Sequence, residues 1–408
     1  MPVNSSNAST HTSDTDLLGV LLAKRNTEGL TFGQHRLLLS EVVREVAENI
    51  GVRRAGSMGE LRTAAYMSSI WQKAGLLTWT DSFDAKTQRI ATTMFLALLS
   101  VGANVVAVFS LYSALVIASI LLVLSVLIQY RDTPLIIGKR KNIPNVIAIR
   151  KSPQAPRRRV VMIAPLDTSD VVDRFNRPWQ HVVMVTVQGA LLLVTLLDTA
   201  PLVSLFPLAH LQLGWVLWFC SGYLVVAAII ESYAHRRRIT WGAVSHAGAL
   251  AATARIVDEL DGLRHTEVWG VSTGASQTYA GIEDLIQRYP FDPQTTFFVV
   301  LSGIGRGTLC YTIPTGSVGG VTDPLLLELA TEVRKTAGVD ARVSRNPSVI
   351  RPLLKRDFRA IEFTCLDEQG YVPLQGLPSD TVEAISLPIV ERAVRAVVMM
   401  IRALDALN

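Results

Sequence analysis

Ser245 and His246 stand side by side, and Asp167 is an acid that could complete a serine–histidine–aspartate set. Such a set makes a nucleophile by passing the hydroxyl proton to an imidazole held in place by a carboxylate. Neighbours in sequence do not usually face each other, so the plainer reading of His246 is a polar residue at a helix start. Cys220, Cys310 and Cys365 form no CxxC pair and no cysteine–histidine cluster with zinc spacing. Scattered and odd in number, they read as free thiols in a reducing compartment. There is no GxGxxG and no Walker loop, and Ser272-Thr-Gly-Ala-Ser276 lacks the G-x-S-x-G order of a nucleophile elbow.

The elements around these residues fall into two kinds. Charged residues are 18% of the 408 and hydrophobic ones 49%, where about 25% charged is usual for a soluble chain. Residues 91–129 carry no charge at all. As one helix they would reach roughly 58 Å, about twice the hydrocarbon core, so two spans are expected, turning near Ser110–Ser113. A second apolar block, 182–230, has Asp198 as its only charge and a break marked by Pro201, Pro207, His210 and Gln212. It predicts spans near 182–203 and 211–230. Asp198 lies near one end of its span and reads as an interfacial, solvated acid; deeper in a membrane it would be a functional candidate.

Lys86, Arg89, Arg131 and Lys139–Lys141 flank the first block, and Arg174, Arg177 and Arg236–Arg238 the second, while both turns lack Lys and Arg. The positive-inside rule then puts both termini and the intervening segments in the cytoplasm of an inner (plasma) membrane protein. The same distribution accounts for the net charge of +5, so no nucleic-acid partner is expected.

The expected organisation is a disordered tail at 1–16, then one α/β domain in three parts, 17–90, 131–180 and 234–408, interrupted by hairpins at 91–130 and 181–233. Strands are expected at Leu76–Phe83, Asn145–Ile149, Val160–Ala164, Glu267–Ser272, Thr295–Leu301, Thr308–Ile313, Ala341–Ser344 and Ala360–Cys365. Helices are expected at Leu61–Ala74, Ala247–Leu260, up to about Arg288, Pro324–Ala337 and Leu387–Leu407. Alternating strands and helices predict a mixed, mostly parallel sheet covered on both faces.

The order of short motifs resembles the di-zinc aminopeptidase family, whose fold also serves glutamate carboxypeptidase, glutaminyl cyclase and the transferrin receptor. Gly51-Val-Arg-Arg-Ala-Gly-Ser57, Ala64-Ala-Tyr-Met67, Lys73-Ala-Gly75 and Asn145-Val-Ile-Ala148 carry the resemblance. It implies a three-layer zinc-exopeptidase-like domain, two zinc ions held by His and carboxylates, and a Glu as general base. Aligned on that pattern, Ala164-Pro-Leu-Asp-Thr168 has Pro165 for the first ligand His. Gly242-Ala-Val-Ser-His-Ala-Gly248 has Ser245 for the bridging Asp. Gly274-Ala-Ser276 stands for the G-E-E of base and ligand. Val300-Leu-Ser-Gly-Ile-Gly-Arg306 has Ser302 for another Asp, and Gly376-Leu-Pro-Ser-Asp-Thr381 has Gly376 for the last His.

A serine hydroxyl cannot replace a carboxylate on such a cation. The expectation is therefore no catalytic residue, no metal ligand and no cofactor. Asp167 would be an orienting carboxylate without its histidine. Asp380, before Thr381 and the final helix, would cap or close a turn. The functional expectation is a non-catalytic scaffold, binding protein or accessory subunit with the bilayer and a membrane-protein partner or cleft ligand as its contacts. The alternative is a membrane-bound, aminopeptidase-like hydrolase with an unconventional site. A transporter would call for broken-helix repeats, which the spans lack. Because the second block is bounded by Asp167 and Ser245, the former cleft is expected to face the membrane.

Overall fold

The computed structural model describes residues 39–86, 139–168, 240–313, 322–346 and 348–407, with scattered positions between 102 and 123 and between 215 and 229. Residues 39–44 are helical and run into a π-helix, Glu45–Ile50. Helix α1 is Met58–Lys73, followed by strands β1, Leu77–Lys86, β2, Arg140–Arg150, and β3, Arg158–Pro165. A π-helical turn, Ala243–Ala247, leads into α2, Gly248–Glu259. Then come β4, Thr266–Thr273, α3, Ala280–Arg288, β5, Thr296–Leu301, and β6, Thr308–Thr312. The chain continues through α4, Pro324–Ala337, β7, Asp340–Arg342, α5, Arg351–Leu354, β8, Arg359–Leu366, and α6, Leu387–Ala406.

The helix ends follow local chemistry. Ser57 caps α1 by accepting from the Glu60 amide. Asp323 caps α4 by accepting from the Leu326 amide, Pro324 supplies the preset first turn, and Gly338 closes it in the left-handed conformation. These signals make Pro324–Ala337 the helix whose observed bounds equal the expected ones. Helix α6 buries Val390, Ala393, Val397, Met400 and Leu404, a stripe at helical spacing. The sequence reading missed the π-helix at Glu45–Ile50 and the short α5. It began β2 at Asn145, where the β-branched run starts. The strand in fact starts at Arg140, and Pro144 lies beyond the β4 ladder, which begins at Asn145.

Eight strands form one sheet in the order β1-β2-β4-β3-β5-β8-β6-β7. Strands β4, β3, β5 and β8 are mutually parallel, while β2 and β6 run against their inner neighbours. One face, with Val160, Met162 and Val299, packs under α1, α2, α4 and α6. The other, with Val161, Ile163, Phe298 and Val300, packs under α3 and α5. The fold is thus the expected three-layer α/β arrangement with a sheet parallel at its centre.

This topology fixes where functional residues can gather. The four parallel strands end at one edge, and β1 ends there too because it opposes β2, which opposes β4. Open α/β sheets bind ligands at such carboxyl edges. The first apolar block lies in sequence between Lys86 and Arg140, which pair across β1 and β2. The second lies between Thr168, just past β3, and Thr240. In sequence, both therefore adjoin the described domain at the carboxyl edge of the sheet.

The tail at 1–16, Asp198 and nearly all of both expected hairpins lie outside the described residues. Among the described residues no helix is long and apolar enough to cross a membrane.

Candidate functional site

The centre of the carboxyl edge is held by Arg53, which is fully buried. Its Nε donates to the Leu166 carbonyl, Nη1 to those of Val46, Gly51 and Trp241, and Nη2 to that of Gly242, at 2.6–3.2 Å. Its backbone pairs with Thr168 in both directions: the Thr168 amide donates to the Arg53 carbonyl, and the Arg53 amide to Thr168 Oγ1. Leu166–Thr168 and Trp241–Gly242 are the two stems of the second apolar block, so one guanidinium ties them together. Burial lowers the Arg53 pKa to about 10, against the opposing pull of Asp380 and Asp167. It remains a cation at neutral pH.

The serines expected at ligand positions are bonded to neighbouring polar side chains. Ser245 Oγ donates to Asp380 Oδ2 at 2.6 Å and lies 2.9 Å from His246 Nδ1. Asp380 also accepts from the Val244 and Ser245 amides, at 2.6 and 3.3 Å. It therefore caps the turn that opens α2, rather than closing its own turn before the final helix as expected. Its backbone is tied to the same turn, the Ala243 amide donating to the Asp380 carbonyl at 3.4 Å, a long-range contact that local capping rules do not reveal. Asp167 is not idle: its Oδ1 accepts from the Ser276 amide at 2.9 Å, joining the ends of β3 and β4. Gly248 lets α2 approach closely, since a Cβ there would stand 2.0 Å from the Ile304 carbonyl. The Gly303 amide donates to the Ser245 carbonyl, bringing the end of β5 to the same place.

Pro165 ends β3 opposite Thr273. Ser302 faces away from Ser245 in bonding terms, since its hydroxyl donates to Glu362 Oε1 at 2.8 Å. Thr312 and Ser348 donate to the other oxygen of that buried acid. Burial pushes Glu362 above the usual carboxylate range, against the three hydroxyl donors. Glu60, at the start of α1, accepts from the Gly56 amide at 2.7 Å and the Ala275 amide at 3.1 Å. Burial, and then the Asp167 charge, raise its pKa to about 8. Sequence reasoning passed over both glutamates. Glu362 is the one charge inside an apolar strand, and Ser57-x-x-Glu60 is a helix-start pattern, so each had a visible signal.

The Ser245–His246 contact corrects the expectation that the two would not meet. It does not make a catalytic triad. Serine sits between acid and imidazole, whereas nucleophile activation needs the imidazole in the middle. Both side chains are buried, Ser245 at 1% and His246 at 5% exposure. Burial, then the Arg53 charge, lower the His246 pKa to about 3, so the ring is neutral.

These residues do not fit a pair of zinc ions. Pro165 and Gly376 offer no side-chain donor, Ser245 and Ser302 spend theirs on carboxylates, and Asp167 and Asp380 answer a fixed guanidinium. Among the described residues no three His, Cys, Asp or Glu side chains come together as a metal-holding group.

No family model matches the chain, and no curated protein matches it. Solved structures do. A zinc aminopeptidase from Bacillus subtilis superposes with TM-score 0.54 at 11% identity, covering 90% of this chain and 94% of that one. The glutaminyl cyclase of Fimbriiglobus ruber gives 0.53 at 11%, over 92% and 97%. A Zn-dependent exopeptidase from Parabacteroides distasonis gives 0.53 at 10%, over 91% and 98%. At such identities the likeness establishes the fold alone: this is the mixed α/β fold of zinc aminopeptidases and glutaminyl cyclases.

Two outcomes follow from the geometry. Arg53→Met removes the guanidinium donor from five carbonyls, of which those of Val46 and Gly242 keep backbone amide donors, and leaves two acids without their cation, a loss of about 3–5 kcal/mol for a broken buried charge cluster. Arg53→Lys should recover little, because an ammonium cannot span the fork. Thermal unfolding should show both variants melting well below wild type. The second concerns pH. Between its ordinary value of 4.5 and about 8, folded Glu60 keeps a proton that the unfolded chain releases, so stability falls as pH rises through that window. His246 works the other way: its contribution is complete above 6.5 and is lost as pH falls toward 3. Asp380 and Glu362, both pushed upward by burial, act in the same sense as Glu60. Melting temperature should therefore decline from pH 6.5 to 8, and Glu60→Gln should make that decline shallower. An unchanged slope would remove Glu60 from the explanation.

Proposed function

We propose that this chain is an integral membrane protein whose zinc-exopeptidase-like domain binds rather than hydrolyses, acting as a scaffold or accessory subunit. The observation that carries this reading is the closed bonding of the former ligand positions: Ser245 to Asp380, Ser302 to Glu362, and Asp167 to the Ser276 amide. A zinc enzyme needs free donors and a general base at that place; here the groups present are committed to one another and to Arg53. The zinc aminopeptidase and glutaminyl cyclases of the same fold lend the scaffold, not its chemistry.

The membrane reading rests on the uncharged block 91–129 and on 182–230 with its single acid. It is supported by scattered helical positions in those blocks whose large apolar side chains are exposed: Val116, Ile120 and Val123 in the first, Trp215, Phe219 and Ile229 in the second. Exposed Val, Ile, Trp and Phe side chains suit lipid better than water. Basic flanks place the domain and both termini on the cytoplasmic side.

A hydrolase reading is favoured by the 2.9 Å Ser245–His246 contact alone. One preparation separates the two. The full chain, extracted in detergent after resisting alkaline carbonate, should turn over neither aminopeptidase nor glutaminyl-cyclase substrates, and should carry a stable protein partner or bound ligand. Turnover abolished by Ser245→Ala would overturn the binding reading in favour of the hydrolase.

A further inference from the structure

We propose that the carboxyl edge of the sheet rests directly on an anionic phospholipid surface, with Lys86, Lys139, Arg140 and Lys141 set against the headgroups; this rests on the membrane reading above. The topology brings both apolar blocks out at this edge: one between Lys86 and Arg140, the other between Thr168 and Thr240. If these blocks span the bilayer, they are tethered to the described domain from this edge.

Charge at the edge is of the matching sign. Lys86 and Arg140 are partners across the ladder, both exposed, with exposed Lys139 and half-buried Lys141 alongside. Like charges opposite each other cost stability unless an anion answers them. Among the described residues no carboxylate pairs with Lys86, Lys139 or Arg140; Lys141 Nζ reaches the Ala55 carbonyl at 3.4 Å. Asp84, two residues from Lys86, is the exposed acid beside them. The opposite edge differs: Arg159 and Arg359 are answered by Glu267 and Asp323, and Arg158 by the Leu404 and Leu407 carbonyls.

Apolar side chains break the surface in the same place. Met58 is 66% exposed and Leu61 40%, on the first turn of α1, whose Glu60 holds the Ala275 amide just past β4. Trp241, 39% exposed, lies on the stem of the second block beside Gly51. Cations with an interfacial Trp and Met are the residues that engage a charged bilayer surface.

The test uses the full chain in nanodiscs of phosphatidylcholine with or without phosphatidylglycerol, read by amide hydrogen exchange. Anionic discs should slow exchange at Met58–Leu61, Lys139–Lys141 and Trp241, and high salt should reverse it. A Lys139→Ser/Arg140→Ser/Lys141→Ser variant should lose protection by roughly fivefold per cation, while staying resistant to carbonate. Equal exchange in both discs, with carbonate resistance intact, would overturn lipid docking and leave the membrane reading standing. Protection independent of lipid charge would point to a protein cover and also overturn it. Release by carbonate would remove the membrane reading and this proposal with it.

Discussion

A buried guanidinium is the interaction on which this domain hangs. Arg53 has no water to hydrate it, and an isolated charge in that setting would be prohibitively costly. It persists because five backbone carbonyls and two nearby carboxylates replace the lost water. The carbonyls come from three stretches distant in sequence: the end of the π-helix, the exit of β3, and the entry to α2. No apolar contact could fix three loops with that angular precision. The same cation sits where Asp167 and Asp380 need positive charge. A single fixed cation of the chain thus supplies, at the sheet's carboxyl edge, the compensation that metal ions give in zinc sites.

The polar groups at the carboxyl edge answer one another. Serine at 245 and 302 is short, neutral and able to donate, so each satisfies a buried carboxylate instead of presenting one. Asp380 gains the amides at the head of α2, and Asp167 gains the Ser276 amide. The acids are answered in two polar clusters, Asp380 with Ser245 and Glu362 with Ser302, Thr312 and Ser348, and satisfied clusters of this kind rigidify where half-satisfied ones would loosen the fold. The edge is a structural joint that ties the segment leaving β3 to the segment entering α2.

Much of this was legible beforehand. Strands such as Val160–Ala164 announced themselves by β-branched runs, α4 by Asp323, Pro324 and Gly338, and α6 by its apolar stripe. The serines at 245 and 302 drew attention only through the resemblance, once the short motifs were read in order. What sequence could not disclose were pairings made across long separations. Asp380 looked like a local cap and is a cap for a helix more than a hundred residues earlier. Ser245 and His246 looked unable to meet and do meet, inside a π-helical turn that propensity does not foresee. Arg53 appeared only as part of a motif, because its role depends on five carbonyls, and carbonyls carry no sequence signature.

The decisive measurement is diffraction at the zinc absorption edge from crystals of the full chain grown with excess zinc. If Arg53 and the hydroxyl–carboxylate pairs occupy the site, the anomalous map will be empty between Asp167, Ser245 and Asp380. Two strong peaks a few ångströms apart there would contradict it and restore a metal centre.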